Sequence, residues 1–182
     1  MFTISREICI DAAHRVPTHG SKCFNLHGHR YKIEAVLESA QTISKGEQTG
    51  MTMDFSFIKE VLMGMIHDNC DHALLWYVHD TLIQHMLGVH GSSILTSALG
   101  PLQSDQENSG ANLGMIYQAS MPTGEVIQTV ALNFIPTAEE LAKWWFHLIE
   151  NDVYDRSEGN ARLKEIRVHE TPNSVAVYSP DQ

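Results

Sequence analysis

CFNLHGHRYKIEAVLES, residues 23–39, carries the pattern on which the reading of this chain turns. From His27 onward, side chains two apart would share one face of a β-strand, which puts His27 and His29 on one side and continues with Tyr31, Ile33, Ala35 and Leu37. Such a strand has an apolar inner face that ends in two imidazoles able to reach one metal ion. Solvent-facing strand histidines are the plainer reading of the same pair, and with eleven histidines in 182 residues a bare His-x-His is a weak signal.

Working outward from this stretch, residues 2–12 (FTISREICIDA) are apolar-rich with a rough alternation, so a first strand precedes a loop containing Pro17, Gly20 and Cys23. Catalytic zinc takes three protein ligands and keeps one position open. An antiparallel pairing of the two strands would set His14, at the end of IDAAH, beside the start of the second strand, which makes it the leading third ligand. His19 in the loop is the rival. Cys23 has two possible roles: a fourth ligand closing a structural site, or a thiolate base or nucleophile facing a substrate.

Downstream, Ile58, Val61, Leu62, Met65 and Ile66 recur at helical spacing behind a possible N-cap at Asp54 or Ser56, predicting a helix that ends near Asn69. A short helix is expected around residues 80–87, and the Gly-, Ser- and Asn-rich run that follows reads as an extended loop. The whole of about 76–126 is treated as an insertion in a single domain of residues 1–182. EVIQTVALNF reads as a strand. In IPTAEELAKWWFHLI, Thr137 and Glu140 form a capping box ahead of Leu141, Trp144, Trp145, Leu148 and Ile149. The end, LKEIRVHE-TPNS-VAVYS, reads as a hairpin.

Two further clusters carry chemistry. Asp71-His72, beside Cys70, pairs a carboxylate with an imidazole whose proton transfer it would orient, although adjacent pairs of this kind are common. Cys70, at the end of a packed helix, reads first as a small buried apolar residue. Glu170-Thr171 stands at a strand end, where a carboxylate is either a solvated charge or an acceptor for two N–H donors of a guanidine-like heterocycle edge.

Composition narrows the classes. A net charge of −10 argues against nucleic acid as a partner. No stretch approaches the apolar length of a membrane span, and three cysteines without a secretory signal predict reduced thiols and a cytoplasmic protein. No GxGxxG is present to hold a nicotinamide or flavin.

The segments DAAHRVP (11–17), CFNLHGHRYKIEA (23–35), GMTMDFSFIKE (50–60), CDHALL (70–75), IPTAEELAKWW (135–145) and VHETPNSVAVY (168–178) together resemble the 6-pyruvoyl-tetrahydropterin synthase family. Within it, the CxxxHGH spacing is similar to the bacterial 6-carboxy-5,6,7,8-tetrahydropterin synthases of queuosine and 7-deazaguanine biosynthesis. The resemblance implies an α+β tunnelling fold: an antiparallel four-stranded sheet with two helices on one face, joined edge to edge into an oligomeric barrel. It implies His14, His27 and His29 as Zn2+ ligands, Cys23 with Asp71 and His72 as catalytic residues, and Glu170 with Thr171 as pterin-binding residues. The implied substrate is 7,8-dihydroneopterin triphosphate, converted with loss of acetaldehyde and triphosphate. The implied assembly is a homo-oligomer, hexamer or tetramer, with the Asp-His pair coming from a neighbouring subunit. Arg15, Lys22 and Arg30 flank the implied site as candidate triphosphate holders. A pyruvoyl-forming relative and a non-catalytic zinc-binding assembly domain are the alternatives.

Overall fold

Thirteen consecutive residue pairs join β1 (Phe2–His14) to β2 (His27–Ser39) in unbroken antiparallel register, from Phe2 opposite Ser39 to His14 opposite His27. The computed structural model describes residues 1–89, 114–120 and 124–180. Because the register has no slip, the alternating apolar residues of both strands fall on one face: Ile8, Ile10 and Ala12 beside Tyr31, Ile33, Ala35 and Leu37, all buried.

The expected terminal hairpin forms as β6 (Arg162–Thr171) and β7 (Ser174–Tyr178), and β6 pairs antiparallel with β2, adding Ile166 and Val168 to the buried face. The four antiparallel strands β1, β2, β6 and β7 are therefore present. The sheet does not stop there: among the described residues it has seven strands in the order β4-β5-β3-β1-β2-β6-β7. β3 (Leu74–Tyr77) runs parallel to both β1 and β5 (Val126–Leu132), and β4 (Gly114–Ser120) pairs antiparallel with β5.

Two helices cover the apolar face. The first begins as α1 (Phe55–Leu62) with Asp54 as its N-cap, the Asp54 side chain accepting from the Ser56 N–H. It passes through a π-helical turn at Met63–His67 and ends as α2 (Asp68–Cys70), in agreement with the expected end near Asn69. The second is α4 (Ala138–Arg156), capped by Thr137, which buries Leu141, Trp144, Trp145, Phe146 and Ile149.

The segment read as an insertion holds more regular structure than a loop. It contains α3 (Thr81–Met86), as expected for 80–87, together with β4 (GMIYQAS), which directly follows the Gly- and Ser-rich run. β3 was also unforeseen: LLWY is too short to show a period, and both of its neighbours are distant in sequence. Residues 90–113, most of the expected extended loop, lie outside the described residues. Among the described residues, no helix is long and apolar enough to cross a membrane.

Candidate metal and catalytic site

Continuing the inward face of β1 and β2 toward the sheet end brings His14, His27 and His29 together. Their potential ligand atoms all lie within 4.8 Å of one another, and no other such group of three occurs among the described residues. His14, not His19, completes the trio: His19 stays in the loop, where its Nδ1 accepts from the Ser21 N–H at 3.2 Å. Cys23 stands outside the group, so the set has three members, as an open catalytic zinc site has.

The tautomers suit a metal. His14 Nδ1 lies 2.7 Å from the Pro136 carbonyl and His27 Nδ1 lies 2.7 Å from the Asn25 carbonyl. A carbonyl only accepts, so each Nδ1 carries the proton and each Nε2 keeps its lone pair free. His14 Nε2 and His29 Nε2 are buried without a hydrogen-bond partner, an arrangement that leaves two polar atoms unsatisfied unless a ligand occupies the space between them. Burial pushes the His14 imidazole down to about pKa 4, against the Pro136 carbonyl and with help from the two neighbouring rings. It is thus neutral at physiological pH, the state in which it can donate to a cation. Below the trio lies Tyr31, fully buried, with its ring edge-on to His14 and His29 at 5.8 and 5.6 Å between centroids.

Glu170 connects this cluster to the thiol. Its Oε1 stands 3.6 Å from His14 Nε2 and 3.8 Å from His29 Nε2. The same glutamate lines a cavity of about 330 Å³ together with Cys23, His19, Val16, Thr137 and Val175. Cys23 is half-buried, on a 3₁₀ turn (Lys22–Phe24). The rival thiol is unsuited to such work: Cys70 is completely buried, and burial pushes it up to about pKa 12. Thr171 ends β6 just before the hairpin turn, its Oγ1 accepting from the Asn173 N–H at 3.4 Å, and does not line the cavity.

The Asp-His pair forms, but elsewhere. His72 Nδ1 and Asp71 Oδ2 are 2.8 Å apart, while Asp71 Oδ1 accepts from the Asp11 N–H at 2.8 Å. Partial burial pushes the Asp71 carboxyl up, but the Asp11 N–H and His72 outweigh it and hold it below the ordinary carboxylate range. His72 itself is 80% exposed and has a left-handed backbone, φ +57°, anchored by its N–H on the Asp11 carbonyl at 2.7 Å. It borders a larger cavity of about 640 Å³ with Asp11, Ala13, Gly28 and Arg30. Those residues alternate with the inward-facing ones along β1 and β2, so the pair opens on the opposite face of the sheet from the three histidines.

Two of the three basic residues considered for an anion are committed. Arg15 is buried against Asp80, Nε to Oδ2 at 3.1 Å. Arg30 clasps Asp11 with two bonds of 2.9 and 2.8 Å on the far face. Lys22 remains exposed beside Cys23.

A model of the 6-pyruvoyl tetrahydropterin synthase family matches residues 3–181. The 6-carboxy-5,6,7,8-tetrahydropterin synthase of Haemophilus influenzae is 29% identical over 98% of this chain and 99% of its own length. The protein of that name from Rickettsia felis is 31% identical over 95% and 96%. Among solved structures, an uncharacterized protein from Wolinella succinogenes superposes with a TM-score of 0.71 at 22% identity, covering 98% of both chains. The 6-pyruvoyl tetrahydropterin synthase of Plasmodium vivax does so with 0.55 at 16%, again over 98% of both.

Proposed function

The chain belongs to the 6-pyruvoyl tetrahydropterin synthase family, and from that premise we propose that it converts 7,8-dihydroneopterin triphosphate to 6-carboxy-5,6,7,8-tetrahydropterin with zinc, releasing acetaldehyde and triphosphate, in queuosine and 7-deazaguanine biosynthesis. It is a lyase-type enzyme, as the family and the relatives named 6-carboxy-5,6,7,8-tetrahydropterin synthase along nearly their whole length establish. The observation that carries the metal-assisted reading is the convergence of three histidines, two of which have their free Nε2 fixed by carbonyls on Nδ1.

In this reading His14, His27 and His29 hold Zn2+, whose bound charge would acidify the side-chain hydroxyls and adjacent C–H of the substrate. Glu170 accepts two N–H groups from the pterin edge, placing the ring in the cavity that the carboxylate shares with Cys23. Cys23 removes and returns a proton on the side chain. His72, with Nδ1–H held by Asp71, presents Nε2 as the second acid-base group. Since the pair opens on the other face of its own sheet, the His72 serving a given Cys23 belongs to a neighbouring copy. The working unit is then a homo-oligomer with shared sites, built from joined sheets. In the described residues the sheet ends at β4 and β7, the edges at which such joining would occur.

Mass spectrometry of the pterin formed from 7,8-dihydroneopterin triphosphate by the zinc-loaded protein tests this. A 6-carboxy product is expected; a 6-pyruvoyl product would move the chain to the pyruvoyl-forming branch, and no consumption by folded, metal-replete protein would reject the reading.

A further inference from the structure

Asp80 is the N-cap of α3, and it faces two ways. Its Oδ1 caps α3 by accepting from the Leu82 and Ile83 N–H groups at 3.1 and 3.4 Å. Its Oδ2 turns to Arg15 Nε at 3.1 Å, and both side chains are about 4% exposed. Buried charges of this kind persist only as a pair, since either alone would be stranded in a poorly solvated interior.

Arg15 in turn reaches the proposed thiol. The guanidinium carbon sits 4.5 Å from the centre of the Phe24 ring, and the N–H of Val16, the next residue, donates to the Cys23 carbonyl at 2.9 Å. Phe24 and Cys23 share the 3₁₀ turn, which is closed by the Phe24 N–H on the Ser21 carbonyl and the Asn25 N–H on the Lys22 carbonyl. A shift of Phe24 therefore carries Cys23 with it. Phe24 is half-exposed, and the guanidinium face packs against its ring.

We infer that Asp80 is a positioning residue for Cys23, acting through Arg15 and Phe24, so that α3 sets the placement of the thiol from outside the cavity. The inference rests on the reading of Cys23 as the catalytic thiol. It also assigns Arg15 to the support of the Cys23 turn rather than to the holding of an anion.

The test compares Asp80→Asn, which keeps an oxygen for the helix cap and removes the charge, with Phe24→Leu, which removes the ring at a half-exposed position. Iodoacetamide labelling at Cys23 is followed by peptide mass mapping, which separates it from exposed Cys9. In both variants labelling should accelerate severalfold, zinc content should match the unsubstituted protein, and kcat should fall about tenfold with KM within about twofold, as expected for a displaced reacting group. If Asp80→Asn fails to fold, Phe24→Leu decides alone. Unchanged Cys23 labelling in folded variants, or zinc loss in Phe24→Leu, would overturn the inference. The labelling arm needs no substrate, so it answers even if the protein consumes no pterin triphosphate.

Discussion

The three cysteines show how little residue type says and how much surroundings do. Cys70 keeps its proton far above the range of a free thiol because burial penalises the thiolate. In the unfolded chain it titrates near pH 9, so between pH 9 and about 12 the unfolded state binds fewer protons than the folded one, and stability falls as pH rises through that window. Unfolding free energies from urea should show the advantage of the unsubstituted protein over Cys70→Ala shrinking above pH 9 by about 1.4 kcal/mol per pH unit; a constant gap would refute it. Gly28 is equally specific. A Cβ there would meet the Ala12 carbonyl oxygen at 3.0 Å, backbone that cannot swing aside. Gly28→Ala should cost about 1–2 kcal/mol in urea unfolding and weaken zinc binding in a chelator competition, because the strand that ends in His14 must give by a few tenths of an ångström.

Among the elements, β7 carries the chain's last described strand at a sheet edge, and a polar chain ties it to α4. His147 Nδ1 faces Glu150 Oε1 at 3.0 Å, which leaves Nε2 to accept from the Tyr178 hydroxyl at 3.1 Å. Tyr178→Phe should lower stability by about 1 kcal/mol, the net worth of one hydrogen bond, and should speed amide exchange in β7 more than in β1 or β2. His147→Ala combined with Tyr178→Phe should cost less than the sum of the single changes; strict additivity would show that the bond contributes nothing. At this scale the helices were legible, since Asp54 and Thr137 cap them and their apolar residues recur at helical spacing. β3 was not, because four apolar residues carry no period that separates strand from helix.

For the whole molecule, the face on which a group lies decides whom it can serve. The three histidines, Glu170 and the Cys23 cavity lie toward the helix-covered side, whereas His72 opens beside Asp11 and Arg30 on the other. If sites are shared between copies, Cys23→Ala and His72→Ala should each be inactive while both keep full zinc. Mixing them under conditions that exchange subunits should restore part of the turnover, because some sites then combine an intact Cys23 with an intact His72. Activity that stays at background in mixed oligomers verified by native mass spectrometry would place the whole reaction within one chain.

What the sequence determined by itself is whatever depends on neighbours along the chain. The alternation of His27, His29, Tyr31 and Ile33 specifies one face of a strand, and the unbroken β1–β2 register converts that face into the meeting point of His14 with the pair. What only the tertiary structure decided depends on backbone groups and pairings with no side-chain signature. The Pro136 carbonyl that orients His14 comes from 122 residues away, and the parallel pairing of β3 with β1 and β5 widens the sheet. Arg15 likewise reads as a surface cation until Asp80 is folded against it. A carbonyl oxygen or a strand edge is chemically the same at every position, so only folding can select which one a side chain meets.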